Sequence, residues 1–108
     1  MAINSRQKGA AGERELAKIL REHGFDARRG QQYSGANGDA DVVGIPGFHI
    51  EVKRVEKLNL EKAMEQSMND ADVTEIPIVV HRKNRDYWKV TMALEDFLDL
   101  YEAKWGRI

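Results

Sequence analysis

The chain has 108 residues, no cysteine and a formal net charge of −1. That length holds one domain with one core and leaves no room for two; the missing cysteines exclude disulfides and thiolate zinc sites and suit the reducing cytoplasm. With 42% hydrophobic and 32% charged residues the composition is that of a globular protein, no apolar run nears the roughly 20 residues that span a bilayer, and residues 1–5 lack a signal-peptide core.

The near-neutral sum conceals a segregation of charge. Arg6, Lys8, Arg14, Lys18, Arg21, Arg28 and Arg29 load the first thirty residues with positive charge, and Arg82, Lys83, Arg85 and Lys89 form a second basic cluster. Acidic residues gather from Glu56 to Glu75 and from Glu95 to Glu102. Such a chain offers a positive face to phosphates while staying neutral overall; the alternative is scattered, solvated charge.

Residues 9–23 predict a helix that Gly24 ends. Its apolar stripe uses Ala10, Leu16, Ala17, Ile19 and Leu20, and the helical spacing puts Glu13 inside that stripe while Glu15 points to water as an ordinary surface residue. A carboxylate on the core side of a helix is unfavourable without a partner or a metal. Glu13 is therefore either a site residue or half of a salt bridge at the stripe's margin.

Phe25–Arg29 reads as a first strand, and Gly30–Gly38 as a polar, glycine-rich loop. No Gly-Lys-Ser/Thr follows, so the loop is not a Walker phosphate cradle; it is a substrate clamp or a plain connection. It delivers the chain to Asp39 and Asp41. Asp41 adjoins Val42-Val43 and so sits on a rigid strand, which favours it over Asp39 as a site residue.

Val42-Val43, the Gly44-Ile45-Pro46-Gly47 turn and the run Phe48 to Lys53 then predict a β-hairpin. Strand alternation sets Phe48, Ile50 and Val52 on one face and His49, Glu51 and Lys53 on the other, a face that can open to solvent. A tight turn brings Asp41 across from Glu51 and Lys53. Two carboxylates and a lysine on one sheet edge are a donor set for a divalent metal and a water activated beside it.

Residues 58–71 predict a second helix with Leu60, Ala63, Met64 and Ser67 on its stripe and Gln66 at the margin, reaching the site or facing water. Ile76 to His81 is apolar enough for a strand covered on both faces. Asp86–Thr91 reads as a last strand, and Leu94, Phe97, Leu98 and Tyr101 mark a closing helix. Tyr87, Trp88 and Trp105 read as core or interface residues, and His23, His49 and His81 as isolated, without zinc spacing. The expected fold class is α/β, a central mixed sheet flanked by helices in the order α-β-β-β-α-β-β-α.

A helix glutamate, a strand aspartate and Glu-x-Lys in that order match the PD-(D/E)xK nuclease superfamily. More closely, Lys8-Gly-Ala-Ala-Gly-Glu-Arg-Glu-Leu16, His23-Gly-Phe25, Ala40-Asp-Val-Val43 and Ile50-Glu-Val-Lys53 resemble the archaeal-type Holliday junction resolvases. The resemblance is continuous over the first half and looser beyond it, and Ala40 stands where the superfamily has proline. It implies a single restriction-endonuclease-like nuclease domain over 1–108, with Glu13, Asp41, Glu51 and Lys53 as the catalytic set. It also implies DNA contacts from Lys8, Arg14 and Arg29, and a catalytic loop serine, for which Ser34 is the available residue.

With it come a homodimer, four-way junctions or other branched DNA as substrate, Mg²⁺ as cofactor with Mn²⁺ as substitute, and 5′-phosphate products. Asp41, Glu51 and the carbonyl of Val52 would ligate the ion. Glu13 would hold a second ion or a water, and Lys53 would orient the attacking water or neutralise the phosphate oxygens. The implied setting is cytoplasmic, in a prokaryote or phage, at the nucleoid. Two other readings are a nuclease of the same fold acting on flaps or plain duplex, as in VRR domains, and a non-catalytic DNA-binding domain.

Overall fold

The computed structural model describes residues 5–31 and 40–107, the side chains of 5–8 excepted. Ser34 and Asp39, and the side chain of Lys8, lie outside the described residues. Among the described residues three helices and five strands follow one another as α1 (Ser5–Glu22), β1 (Arg28–Arg29), β2 (Val42–Val43), β3 (Phe48–Arg54), α2 (Leu60–Asp70), β4 (Ile76–Arg82), β5 (Lys89–Thr91) and α3 (Leu94–Trp105). This is the expected order. The strands lie in one sheet in sequence order, β1-β2-β3-β4-β5. Only β3 and β4 run parallel; the other three neighbouring pairs are antiparallel. A parallel pair needs a crossover, and α2 supplies it.

Alternation along the two central strands sorts the sheet's faces. Ile50, Val52, Ile78 and Val80 form the core with Leu16 and Ala17 of α1, and with Ala27 and Val42. The opposite face carries His49, Glu51 and Val79, all buried. There α2 contributes its two buried residues, Ala63 and Ser67. Ser67 Oγ sits 3.3 Å from the His49 carbonyl and 3.0 Å from that of Ile78, pinning α2 across both strands. The expectation that this face opens to water fails at its centre, where α2 covers His49 and Glu51.

Element ends differ from the sequence reading for local reasons. The first strand shrinks to Arg28–Arg29 because Phe25 belongs to the end of α1. Its N–H bonds the Leu20 carbonyl while Gly24 N–H bonds that of Arg21, a Schellman cap that Gly24 permits with φ 96°. α2 begins at Leu60 rather than Leu58, since Asn59 caps it by accepting the Lys62 N–H at 3.1 Å. β5 begins only at Lys89, after Asp86 Oδ1 has taken the Tyr87 N–H.

The hairpin turn forms as predicted, and Gly44 explains why. It holds φ 112°, and a Cβ there would stand 2.1 Å from the Asp26 carbonyl oxygen. No other residue fits against the incoming strand. α3 has no buried residue. Trp105 and Tyr87 are exposed, which removes them from the core, while Trp88 packs against it. Among the described residues no helix is long and apolar enough to cross a membrane.

Candidate active site

The β2–β3 register sets Val42 opposite Ile50, so the preceding Asp41 stands beside the following Glu51 on the same face. The Asp41 N–H donates to the Ile50 carbonyl at 3.0 Å. Its Oδ2 accepts the Val52 N–H at 2.9 Å. The aspartate is thus fixed at both backbone and side chain. The Val52 N–H thereby orients the Asp41 carboxyl group.

Glu13 of α1, Asp41, Glu51, Val52 and Lys53 border one open cleft of about 530 Å³, together with Gln66 of α2. Four of the predicted catalytic residues therefore meet in one place, and Gln66 reaches the site. Glu56, which the sequence marks only as the start of an acidic cluster, lines the same cleft. Glu13 also makes the salt bridge weighed as its alternative: Arg29 Nε lies 2.9 Å from its Oε1. Arg29 is thereby tied to the acidic cleft, whereas Arg14 is exposed on α1.

Electrostatics set this pair of carboxylates apart from the surface ones. Burial, followed by the charge and hydrogen bonding of Glu51, pushes the Asp41 carboxyl up to about 7, with the Val52 N–H opposing. Glu51 is only 3% exposed. Its Oε1 lies 3.2 Å from His49 Nε2, while its Oε2 is buried with no hydrogen-bond partner among the described residues. A buried carboxylate oxygen without a donor is unfavourable until a proton or a cation meets it. Asp41 and Glu51 thus fit a hard divalent cation, which takes oxygen ligands.

His49 is not isolated, contrary to the sequence reading. The hydrogen bond with Glu51 raises its pKa against the effect of burial, and the charges of Glu51, Glu75 and Asp70 act in the same direction. His49, Glu51 and Asp70 can each bring a ligand atom within 4.8 Å of the others. No motif spacing announces this, because Asp70 arrives at the end of α2.

Glu15 also departs from its expected place in water. Arg82 grips both its oxygens, at 3.1 and 2.9 Å, and the Trp88 indole N–H donates to it at 3.2 Å. Burial opposes the charged form, but Arg82 chiefly, then Trp88 and Arg54, leave its pKa below the ordinary value. The second basic cluster is partly consumed in this way: Arg82 serves Glu15, and Lys89 bonds Asp86 at 2.6 Å.

A mixed five-stranded sheet with an aspartate and Glu-x-Lys meeting at the hairpin, and a glutamate arriving from the first helix, defines a PD-(D/E)xK nuclease. The family model described as "Phage putative PDDEXK endonuclease" matches residues 4–106, and the chain belongs to that family. Among solved structures the chain is similar to Hjc of Archaeoglobus fulgidus, a Holliday junction resolvase from an archaeal hyperthermophile. The identity is 28% and the TM-score 0.60, over 78% of this chain and 76% of that one. Among curated proteins no match is found. The protein is a nuclease of a class that uses divalent metal.

Proposed function

We propose that this nuclease cuts branched DNA, four-way junctions above all, as a Mg²⁺-dependent homodimer. The supporting observation is the convergence of Glu13, Asp41, Glu51 and Lys53 on one open cleft. Similarity to a junction resolvase supplies the substrate class. Asp41 and Glu51 would hold Mg²⁺, and Mn²⁺ would substitute because it accepts the same oxygen donors. A cation held there supplies positive charge against the scissile phosphate and makes a bound water more acidic.

The chain's own groups do the rest. Asp41 must give up its proton to act as a ligand, and the Val52 N–H holds the resulting carboxylate in place. Lys53 brings its ammonium to the phosphate oxygens as charge develops on them, or orients the attacking water. Glu13 positions a water or a second cation once Arg29 turns to a phosphate. In-line attack by water breaks the P–O3′ bond and leaves a 5′-phosphate. Lys8, Arg14 and Arg29 would contact the DNA backbone.

Two symmetric incisions need two sites related by a two-fold axis. α3 offers a surface for that second copy: Leu94, Phe97, Leu98, Tyr101 and Trp105 recur at helical spacing, and all are exposed. The setting we assign is the cytoplasm of a prokaryote or of a phage-infected cell.

The test is cleavage of labelled four-way junction, flap and linear duplex, with Mg²⁺ and with EDTA. Paired symmetric cuts in the junction alone, abolished by EDTA, are expected. Lys53→Ala should abolish cleavage while keeping metal binding, and Glu51→Gln should lose both. A Lys53→Ala protein that cuts at the wild-type rate would overturn the site. Equal cutting of flap or duplex would reassign the substrate, and no cutting at all would leave a DNA-binding domain.

A further inference from the structure

Glu51 has two oxygens in unlike surroundings. Oε1 meets His49 Nε2 at 3.2 Å; Oε2 meets no N–H or hydroxyl donor among the described residues. A carboxylate on a flexible two-carbon stem does not hold one oxygen toward a site by itself, since its last torsion is broad and lets both oxygens swing away. His49 can impose this orientation, because the ring is enclosed beneath α2. It is 4% exposed. Its backbone carbonyl faces Ser67 Oγ at 3.3 Å, and its Nδ1 lies 3.8 Å from Glu75 Oε1, at the entry to β4.

We propose that His49 is a positioning residue for the metal site: its Nε2–H anchors Glu51 Oε1 and leaves Oε2 as the oxygen offered to the cation. The inference rests on the reading of Asp41 and Glu51 as the metal's ligands. Partners that orient a ligand typically change metal affinity 10- to 100-fold when removed. The imidazole itself is a poor ligand for Mg²⁺, which prefers oxygen, so its place is behind the carboxylate.

The geometry also selects a tautomer. Nε2 must carry a proton to donate to Glu51, so the neutral ring is the Nε2–H form. Glu75 and Asp70, the other charged groups around the ring, are both acceptors, but Glu75 Oε1 stands 3.8 Å from Nδ1, beyond hydrogen-bond reach, whereas Glu51 Oε1 is within reach of Nε2.

The experiment is calorimetric titration of the metal-free full chain with Mn²⁺, without DNA. His49→Leu removes the donor, and His49→Gln retains an N–H near the position of Nε2. Wild type should bind Mn²⁺ and Glu51→Gln should not. His49→Leu should bind roughly 10- to 100-fold more weakly, and His49→Gln should recover most of the loss. Wild-type affinity in His49→Leu would overturn the inference and leave the metal site standing. Equal weakening in both variants would also overturn it, by making the imidazole itself the binding group.

Wild type that fails to bind Mn²⁺ would remove both readings together. Should His49→Leu not fold, ¹⁵N–¹H correlation on metal-free wild type decides the matter. Nε2 protonation is expected, and a neutral Nδ1–H ring would overturn the proposal.

Discussion

Burial and Glu51 keep the Asp41 carboxyl protonated up to about 7, against an ordinary 3.8. Between those values the folded chain holds a proton that the unfolded chain has released, so metal-free stability falls as pH rises through this window. Above it both states are ionised, and the folded state carries the full penalty, on the order of a few kcal/mol. Asp41→Asn removes the titration at nearly constant volume. Its metal-free form should melt above wild type at pH 8, by about 4 to 8 °C per kcal/mol, with the advantage shrinking toward pH 4. Melting curves across that range test this, and an advantage independent of pH would refute it. Saturating Mg²⁺ should narrow the gap by stabilising wild type more than the variant.

At the scale of elements, α1 is held by more than its apolar stripe. Glu15 takes a two-pronged bond from Arg82 and one from Trp88, which joins the helix that carries Glu13 to the ends of the sheet. The Arg82 side chain is only 12% exposed, so removing its partner strands a charge. Glu15→Ala should lower stability by roughly 1 to 3 kcal/mol, between the values for exposed and buried pairs. A loss below about 0.5 kcal/mol, read from urea unfolding, would return Glu15 to the surface role that helical spacing suggests.

The contrast shows what the sequence made legible. Element order, the hairpin and the meeting of Asp41 with Glu51 follow from alternation and one turn, all local along the chain. Glu15 departs from its reading because its partner comes from elsewhere, Arg82 lying 67 residues away; His49 has its partner Glu51 two residues on, and only Asp70 arrives from a distance, after α2 has crossed the sheet. Periodicity reports which way a side chain points, and is silent on what another element brings to meet it.

For the whole molecule, α3 is the part that the core does not explain. It buries none of its residues, yet its exposed apolar stripe runs from Leu94 to Trp105. Acidic Glu95, Asp96, Asp99 and Glu102 occupy the helix positions between those of the stripe, which suits an amphipathic helix paired along one side. Phe97→Glu places a charge in the middle of the stripe without touching the core. Sedimentation should show wild type near twice the 12.3 kDa chain mass and Phe97→Glu as a monomer with an unchanged melting curve in dilute solution. A wild type that stays monomeric at high micromolar concentration would count against paired incision and leave a nuclease that nicks one strand.

The tie between the first helix and the far end of the chain also governs when the enzyme comes into being. The four residues assigned to catalysis, Glu13, Asp41, Glu51 and Lys53, have all been synthesised by Lys53. β3 nevertheless lacks its parallel neighbour until residue 82, and α1 lacks its clamp until Trp88. Contacts this distant in sequence close late, because the intervening chain must first be ordered. A ribosome-bound fragment ending before β4 would carry the whole catalytic set and hold it in no fixed arrangement. The nuclease therefore gains a fixed site only once β4 and Trp88 have emerged to hold β3 and α1.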